Sequence, residues 1–132
     1  MIRKTIKIRG TKHPAQSYDY LAPDGSEIRK LLRVTSGNLV LCSLPKGGVS
    51  AAVRHRTVEE IWYFLSGEGE VWRKQAGKRG RVVKGMHGTS IAIPTGTSFQ
   101  FRNTGNKALC FIIVTMPPWP GKHEALKTEG KW

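Results

Sequence analysis

The sequence predicts an all-β sandwich or barrel, and three observations carry that reading. No window sustains the 3.6-residue apolar period of an amphipathic helix. Short stretches rich in branched and aromatic residues recur instead, several of them alternating apolar and polar side chains. Turn signals built from Gly, Pro, Asn and Asp separate these stretches at a spacing of roughly eight to twelve residues.

Taken in order, Thr5-Ile6-Lys7-Ile8-Arg9 alternates with a period of two and reads as a first strand ending at Gly10. Thr11 to Ser26, with Pro14, Pro23 and Asp24-Gly25, reads as an irregular connection containing one short strand. Glu27 to Val34 and Asn38 to Leu44 are strands of a hairpin turning at Ser36-Gly37. Pro45 to Gly48 breaks the chain, and Val49 to His55 forms the next strand. A short link, Arg56-Thr57-Val58, leads to the strand Glu60 to Leu65, and Ser66 to Gly69 turns it back into Glu70 to Lys74. Arg81 to Val83 and Thr89 to Ile93 follow, the second running into Pro94-Thr95-Gly96. The last strands are Ser98 to Arg102 and Lys107 to Thr115, joined through Thr104-Gly105-Asn106.

Composition bounds the rest. A chain of 132 residues is long enough for one core and too short for two ordinary domains. At 39% hydrophobic and 23% charged it reads as globular and soluble. The longest apolar run, Ala108 to Val114, has strand length and cannot cross a bilayer, so no membrane partner is expected. The amino terminus, MIRKTIKIRG, lacks the apolar core of a secretion signal, which makes a cytoplasmic location the expectation. Cys42 and Cys110 lie in apolar strand stretches without CXXC spacing and read as buried free thiols, a disulfide requiring that their strands be neighbours.

The net charge of +13 comes from 22 Lys and Arg against 9 Asp and Glu. Six of the twelve residues from Arg73 to Lys84 are basic. That hairpin reads as a solvated turn of a basic protein, because no aromatic residue interleaves with the charges; nucleic-acid binding through it is the alternative. An anionic small substrate drawn in by the positive field stands between the two.

Two motifs organise the centre of the chain. From Gly47 the spacing runs five residues to Val53, then Arg54 and His55, four residues to Glu60 and six to Gly67. Twenty residues later come Gly88, Pro94, Gly96 and Asn103 in GTSIAIPTGTSFQFRN. The pair resembles the two cupin motifs, G(X)5HXH(X)4E(X)6G and G(X)5PXG(X)2H(X)3N. The resemblance implies a single-domain, jelly-roll antiparallel β-barrel, with its core at about 27–115 and the segment 116–132 as a tail. In metal-binding cupins the motifs supply three histidines and a glutamate. Here Val53 and Phe99 stand at two of the histidine positions, so only His55 and Glu60 remain and the resemblance carries over no metal site. A divalent metal on His55 and Glu60 would need a further ligand, and none of His87, His13 and His123 has a spacing that places it there.

Strand parity then selects the interior. Val53 and His55 point inward, Glu60 faces the same space with Trp62 and Phe64, and Phe99, Phe101 and Asn103 share a face of a later strand. An aromatic pocket with His55 and Glu60 as its convergent polar groups is the expected ligand site. Arg56 would stand at its rim to meet an anion. The carboxylate is expected to orient the imidazole and raise its basicity, making His55 the general base or acid and Glu60 its partner. A buried pair that merely satisfies its own polar groups is the plain alternative.

In the tail, Pro117, Pro118 and Pro120 cannot continue a central strand, so it is expected to wrap over the barrel with Trp119 and Trp132 docked on apolar surface. A lid over the mouth, or a contact with a neighbouring subunit, is the alternative. The leading functional reading is a small barrel protein binding a polar or anionic small molecule, a sugar or a carboxylic acid. Isomerase, epimerase or lyase chemistry by proton transfer at His55 and Glu60 goes with it. A non-catalytic module binding a ligand or nucleic acid is the second reading, and a metal-dependent dioxygenase the third. The resemblance also implies a homodimer.

Overall fold

A computed structural model describes residues 10–132, and the expected strand Thr5 to Arg9 lies outside them. Among the described residues the chain forms eleven strands and no helix. They are β1 (Tyr20–Leu21), β2 (Glu27–Val34), β3 (Gly37–Leu44), β4 (Val53–His55), β5 (Glu59–Ser66), β6 (Glu68–Lys74), β7 (Arg81–Met86), β8 (Ser90–Ile93), β9 (Ser98–Asn103), β10 (Leu109–Met116) and β11 (Ala125–Lys127).

Two antiparallel sheets result, in the strand orders β1-β2-β3-β10-β5-β8 and β11-β4-β9-β6-β7. Consecutive strands change sheet between β4 and β5 and again between β5 and β6, as a jelly roll requires. The ladders do not close into one continuous cylinder; the two sheets face each other with a shared core between them. Alternation along β5 and β10 shows why these residues become strands. Trp62 and Phe64 are buried while Ile61, Tyr63 and Leu65 are exposed, and Leu109, Phe111, Ile113 and Thr115 are buried on the opposing strand. The centre is aromatic: the Trp62 and Phe111 rings stack at 4.7 Å, and Phe101 stands edge-on to both.

The motif glycines sit at turns. Gly67, between β5 and β6, has φ +80°, and a Cβ there would collide with the Ala108 carbonyl oxygen, so only glycine fits. The strand expected from Val49 to His55 is shorter than its residues imply. Only Val53–His55 pairs as β4, while Val49 makes an isolated bridge to Arg102.

Two findings concern the tail. Ala125–Lys127 adds β11 to the edge of β4, a strand the sequence does not announce. Trp119 packs edge-on against His55 at 5.1 Å, whereas Trp132 packs outside under the Arg102 guanidinium at 4.3 Å. The cysteines lie on neighbouring strands, where Ser43 pairs with Cys110 and Cys42 with Phe111. One register step turns the side chains to opposite faces. Cys42 is therefore in the core, Cys110 is half-buried on the outer face, and both are free thiols.

Candidate functional site

His55 and Glu60 come from different sheets, because the link Arg56-Thr57-Val58 carries the chain across from β4 to β5. That crossover is pinned by Glu124 from the tail. Its carboxylate accepts hydrogen bonds from the Thr57 amide (2.7 Å), the Thr57 hydroxyl and the Val58 amide (3.0 Å). Its carbonyl accepts from the Arg56 amide at 2.9 Å. Burial opposes the ionisation of Glu124, but these hydrogen bonds outweigh it and hold its carboxyl below the usual range.

Across the link the two polar groups approach without bonding. His55 Nδ1 stands 3.9 Å from Glu60 Oε1 and has no hydrogen-bond partner, although it is buried. The imidazole is held edge-on between the Phe99 and Trp119 rings, each 5.1 Å away. Glu60 is occupied elsewhere: Trp62 Nε1 donates to Oε1 at 3.0 Å, and Thr115 Oγ1, on the paired position of β10, donates to Oε2 at 2.6 Å.

The electrostatics reverse the sequence expectation. Burial pushes His55 down from 6.5 to about 4, against a raising influence from Glu124. Burial also pushes Glu60 up from 4.5 to about 7, although its bonds to Thr115 and Trp62 favour the ionised form. A separation of 3.9 Å without a bond is too weak a coupling to overcome the cost of two charges in an apolar setting. At neutral pH the imidazole is uncharged and the carboxyl sits close to its midpoint. Carboxylate-enhanced basicity of His55 is therefore replaced by a titrating Glu60 beside a neutral histidine.

Both residues line a cavity of about 50 Å³ whose wall includes Trp119. Tyr20, Asp24, Ser26, Asn38 and Thr115 complete its polar lining, and no Lys or Arg contributes to it. Asp24, whose carboxyl is raised by desolvation, accepts from the Ser26 amide and hydroxyl at 2.9 and 2.6 Å.

Of the residues singled out by parity, Val53, Trp62 and Phe99 line this cavity with His55 and Glu60. Phe64 and Phe101 lie deeper in the core and do not reach it. Asn103 points away and fastens the β9–β10 turn, donating to the carbonyls of Leu44 and Lys107 and accepting from the Gly105 amide. Arg56 is exposed in a separate surface cleft with Lys122 and His123. Thr115 was reachable by the same parity, since it follows Phe111 and Ile113 on the inward face of β10; Asp24 and Trp119 carried no such signal, lying in loop and tail.

The donor set does not fit a metal ion. Val53 and Phe99 are register partners across β4 and β9, so an apolar contact replaces two donors at once. Glu60 has both oxygens engaged by protein donors. His13, His87 and His123 are exposed and line no part of the cavity. Among the described residues no three His, Cys, Asp or Glu side chains converge to hold a metal.

Fold and site together define a jelly-roll β-protein that keeps two of four motif positions for polar groups and fills the other two with hydrocarbon. The chain belongs to the cupin family: the family model for the cupin domain matches residues 40–115. An uncharacterized protein of Methanocaldococcus jannaschii is 31% identical over 120 residues, covering 87% of this chain and 91% of its own. Among solved structures, a predicted oxalate decarboxylase from Thermotoga maritima is 28% identical with a TM-score of 0.59, over 70% of this chain and 80% of its own. The capsular polysaccharide assembling protein CapF from Staphylococcus aureus, 15% identical, superposes with a TM-score of 0.72 over 83% of this chain. The chain spans only 33% of CapF, and that likeness is one of fold.

Proposed function

We propose that this cupin binds a small, neutral, polar molecule in the cavity beneath Trp119 and moves a proton on it through Glu60. The observation that carries the reading is the unpartnered His55 Nδ1, buried at the cavity and facing Glu60 Oε1 across 3.9 Å. A buried polar atom without a partner costs about 1–3 kcal/mol, and a hydroxyl or carbonyl ligand entering the cavity would supply one. Glu60, with its pKa near 7, serves as general acid or base at neutral pH, and the neutral His55 orients the ligand. Isomerisation, epimerisation or elimination next to a carbonyl are the reaction classes this pair supports.

Charge and size narrow the ligand. Two carboxyl groups and no cation in the lining favour a neutral molecule over a carboxylic acid, oxalate included, in spite of the +13 net charge. At about 10–15 Å³ per enclosed water, a cavity of about 50 Å³ holds only a few atoms, so a sugar-sized ligand requires Trp119 to swing outward. A cytoplasmic location accompanies this reading. So does a homodimer, for which the apolar outer surface of β3, β10 and β5 (Leu41, Ile112, Val114, Ile61, Tyr63) offers a face. No helix among the described residues is long and apolar enough to cross a membrane.

The test uses short hydroxyaldehydes, hydroxyketones and sugars in heavy water, with carbon-bound deuterium read by NMR. At least one neutral compound should exchange in the presence of the wild type and not with Glu60→Gln, while still raising the Tm of both. Stabilisation by carboxylates alone would overturn the ligand class, and undiminished exchange in the variant would overturn the role of Glu60.

A further inference from the structure

A second concave site lies away from the cavity and shares no residue with it. The β6–β7 hairpin and the turn Pro94–Thr97 enclose an open cleft of about 360 Å³, whose lining includes Arg73, Lys74, Lys78, Arg79 and Arg81 but no carboxylate. Among the described residues none of these five cations is in an ion pair with Asp or Glu. Arg73 and Arg81 are register partners, two like charges directly opposite on one ladder, an arrangement that destabilises a hairpin by itself.

Three features make the cleft a built site rather than a diffuse patch. The Arg73 guanidinium is fixed over β8 by donating to the Ala92 carbonyl at 2.7 Å. The hairpin loop is held down where Gly80 crosses the Trp72 indole, so closely that a Cβ there would collide with Nε1. Thr97, 2% exposed and in the cleft wall, has a buried hydroxyl without any hydrogen-bond partner. Its turn is anchored by the Thr97 amide bonding to Pro94 O at 3.1 Å and the Gly96 amide to His55 O at 3.0 Å.

From this we infer that the cleft is an oxyanion site for a phosphate-bearing ligand, with Lys78, Arg79 and Arg81 neutralising its charge and the Thr97 hydroxyl donating to one oxygen. A tetrahedral oxyanion supplies several acceptors at once and relieves the Arg73–Arg81 repulsion. The phosphate could be carried by a small phosphorylated molecule or by a nucleic-acid backbone, since both present the same group to the cleft.

Titration calorimetry with inorganic tripolyphosphate and with a short single-stranded oligouridylate, at several salt concentrations, tests it. The triple variant Lys78→Gln, Arg79→Gln, Arg81→Gln should weaken tripolyphosphate binding by about tenfold or more and reduce the salt slope by roughly the number of lost contacts. A charge-matched control, Lys107→Gln, Lys122→Gln, Lys131→Gln, at exposed positions elsewhere, should change it by less than about twofold. Thr97→Val, which keeps shape and removes the hydroxyl, should cost about three- to fivefold. A steeper salt slope and tighter binding for the oligonucleotide than for tripolyphosphate would assign the ligand to nucleic acid; the reverse order would assign it to a small phosphorylated molecule. Equal losses in the triple variant and its control, an unaffected Thr97→Val, or no binding of either probe would overturn the site.

Discussion

Replacing Glu60 with Gln separates two proton linkages that oppose each other at the cavity. Glu60 has a folded pKa of about 7 against 4.5 for the free group, so between those values the folded chain keeps a proton that the unfolded chain releases. Its contribution to stability is fully present below about pH 4.5 and is lost as the pH rises through 7. The difference, 7 − 4.5, at 1.36 kcal/mol per pH unit, comes to roughly 3 kcal/mol. His55 works in the other direction: its folded pKa of about 4 lies below 6.5, so its contribution is present above 6.5 and lost as the pH falls towards 4. That difference is again roughly 3 kcal/mol. In the wild type the two nearly cancel across the acidic range. Gln keeps an acceptor for Trp62 and an amide for Thr115, so the variant should fold and expose the His55 linkage alone. Urea unfolding followed by tryptophan fluorescence, from about pH 8 to about pH 4, gives the stability of each protein at each pH. The difference between wild type and variant should rise by roughly 3 kcal/mol on acidification from about pH 7 to about pH 4.5, and other titrating groups subtract out. A difference that stays flat, or falls, would mean that Glu60 remains ionised as the counter-ion of a charged His55, and the burial argument would fail.

Trp119→Ala should hydrate His55 and bring its pKa up from about 4 towards 6.5, as read by an imidazole NMR titration; an unmoved value would deny Trp119 its covering role. Glu124→Ala should lower stability by about 2–3 kcal/mol, because the Thr57 and Val58 amides lose a charged acceptor. Because the folded pKa of Glu124 is depressed, that loss should be complete above the ordinary carboxylate value and shrink as the pH falls through the folded one, which urea midpoints would follow. Val53→His combined with Phe99→His restores the four-ligand pattern at register-paired positions, and elemental analysis should find near-stoichiometric divalent metal in that variant only. A folded, metal-free double variant would show that the scaffold, and not the two substitutions, has abandoned the metal.

The fold was legible because its signals are local. Period-two alternation in Glu60 to Leu65 and Lys107 to Thr115 fixed which side chains face inward, and glycine turns placed the ends of the strands. Parity also brought His55 and Glu60 to the same interior. It could not tell that Phe64 and Phe101 lie too deep for the cavity, since every inward position on a strand looks alike until the strand ends converge. Nor could it give the protonation states. Those depend on a distance of 3.9 Å and on where Trp62 and Thr115 aim their donors, both set by pairing between distant strands. The strand β11 was hidden for a similar reason: Ala125-Leu126-Lys127 has no pattern of its own and is ordered by β4 and by the grip of Glu124 on the crossover.

The opposite facing of the two cysteines gives the molecule a built-in reporter position. Cys42 is sealed in the core, with burial pushing its thiol well above the ordinary value, so a thiol-reactive dye has little thiolate there to attack. Cys110 stands on the outside of β10 among Ile112 and Val114, the face proposed above for a homodimer. A single fluorophore can thus be attached without engineering the chain, and its rate of attachment across a dilution series measures how long that face stays uncovered.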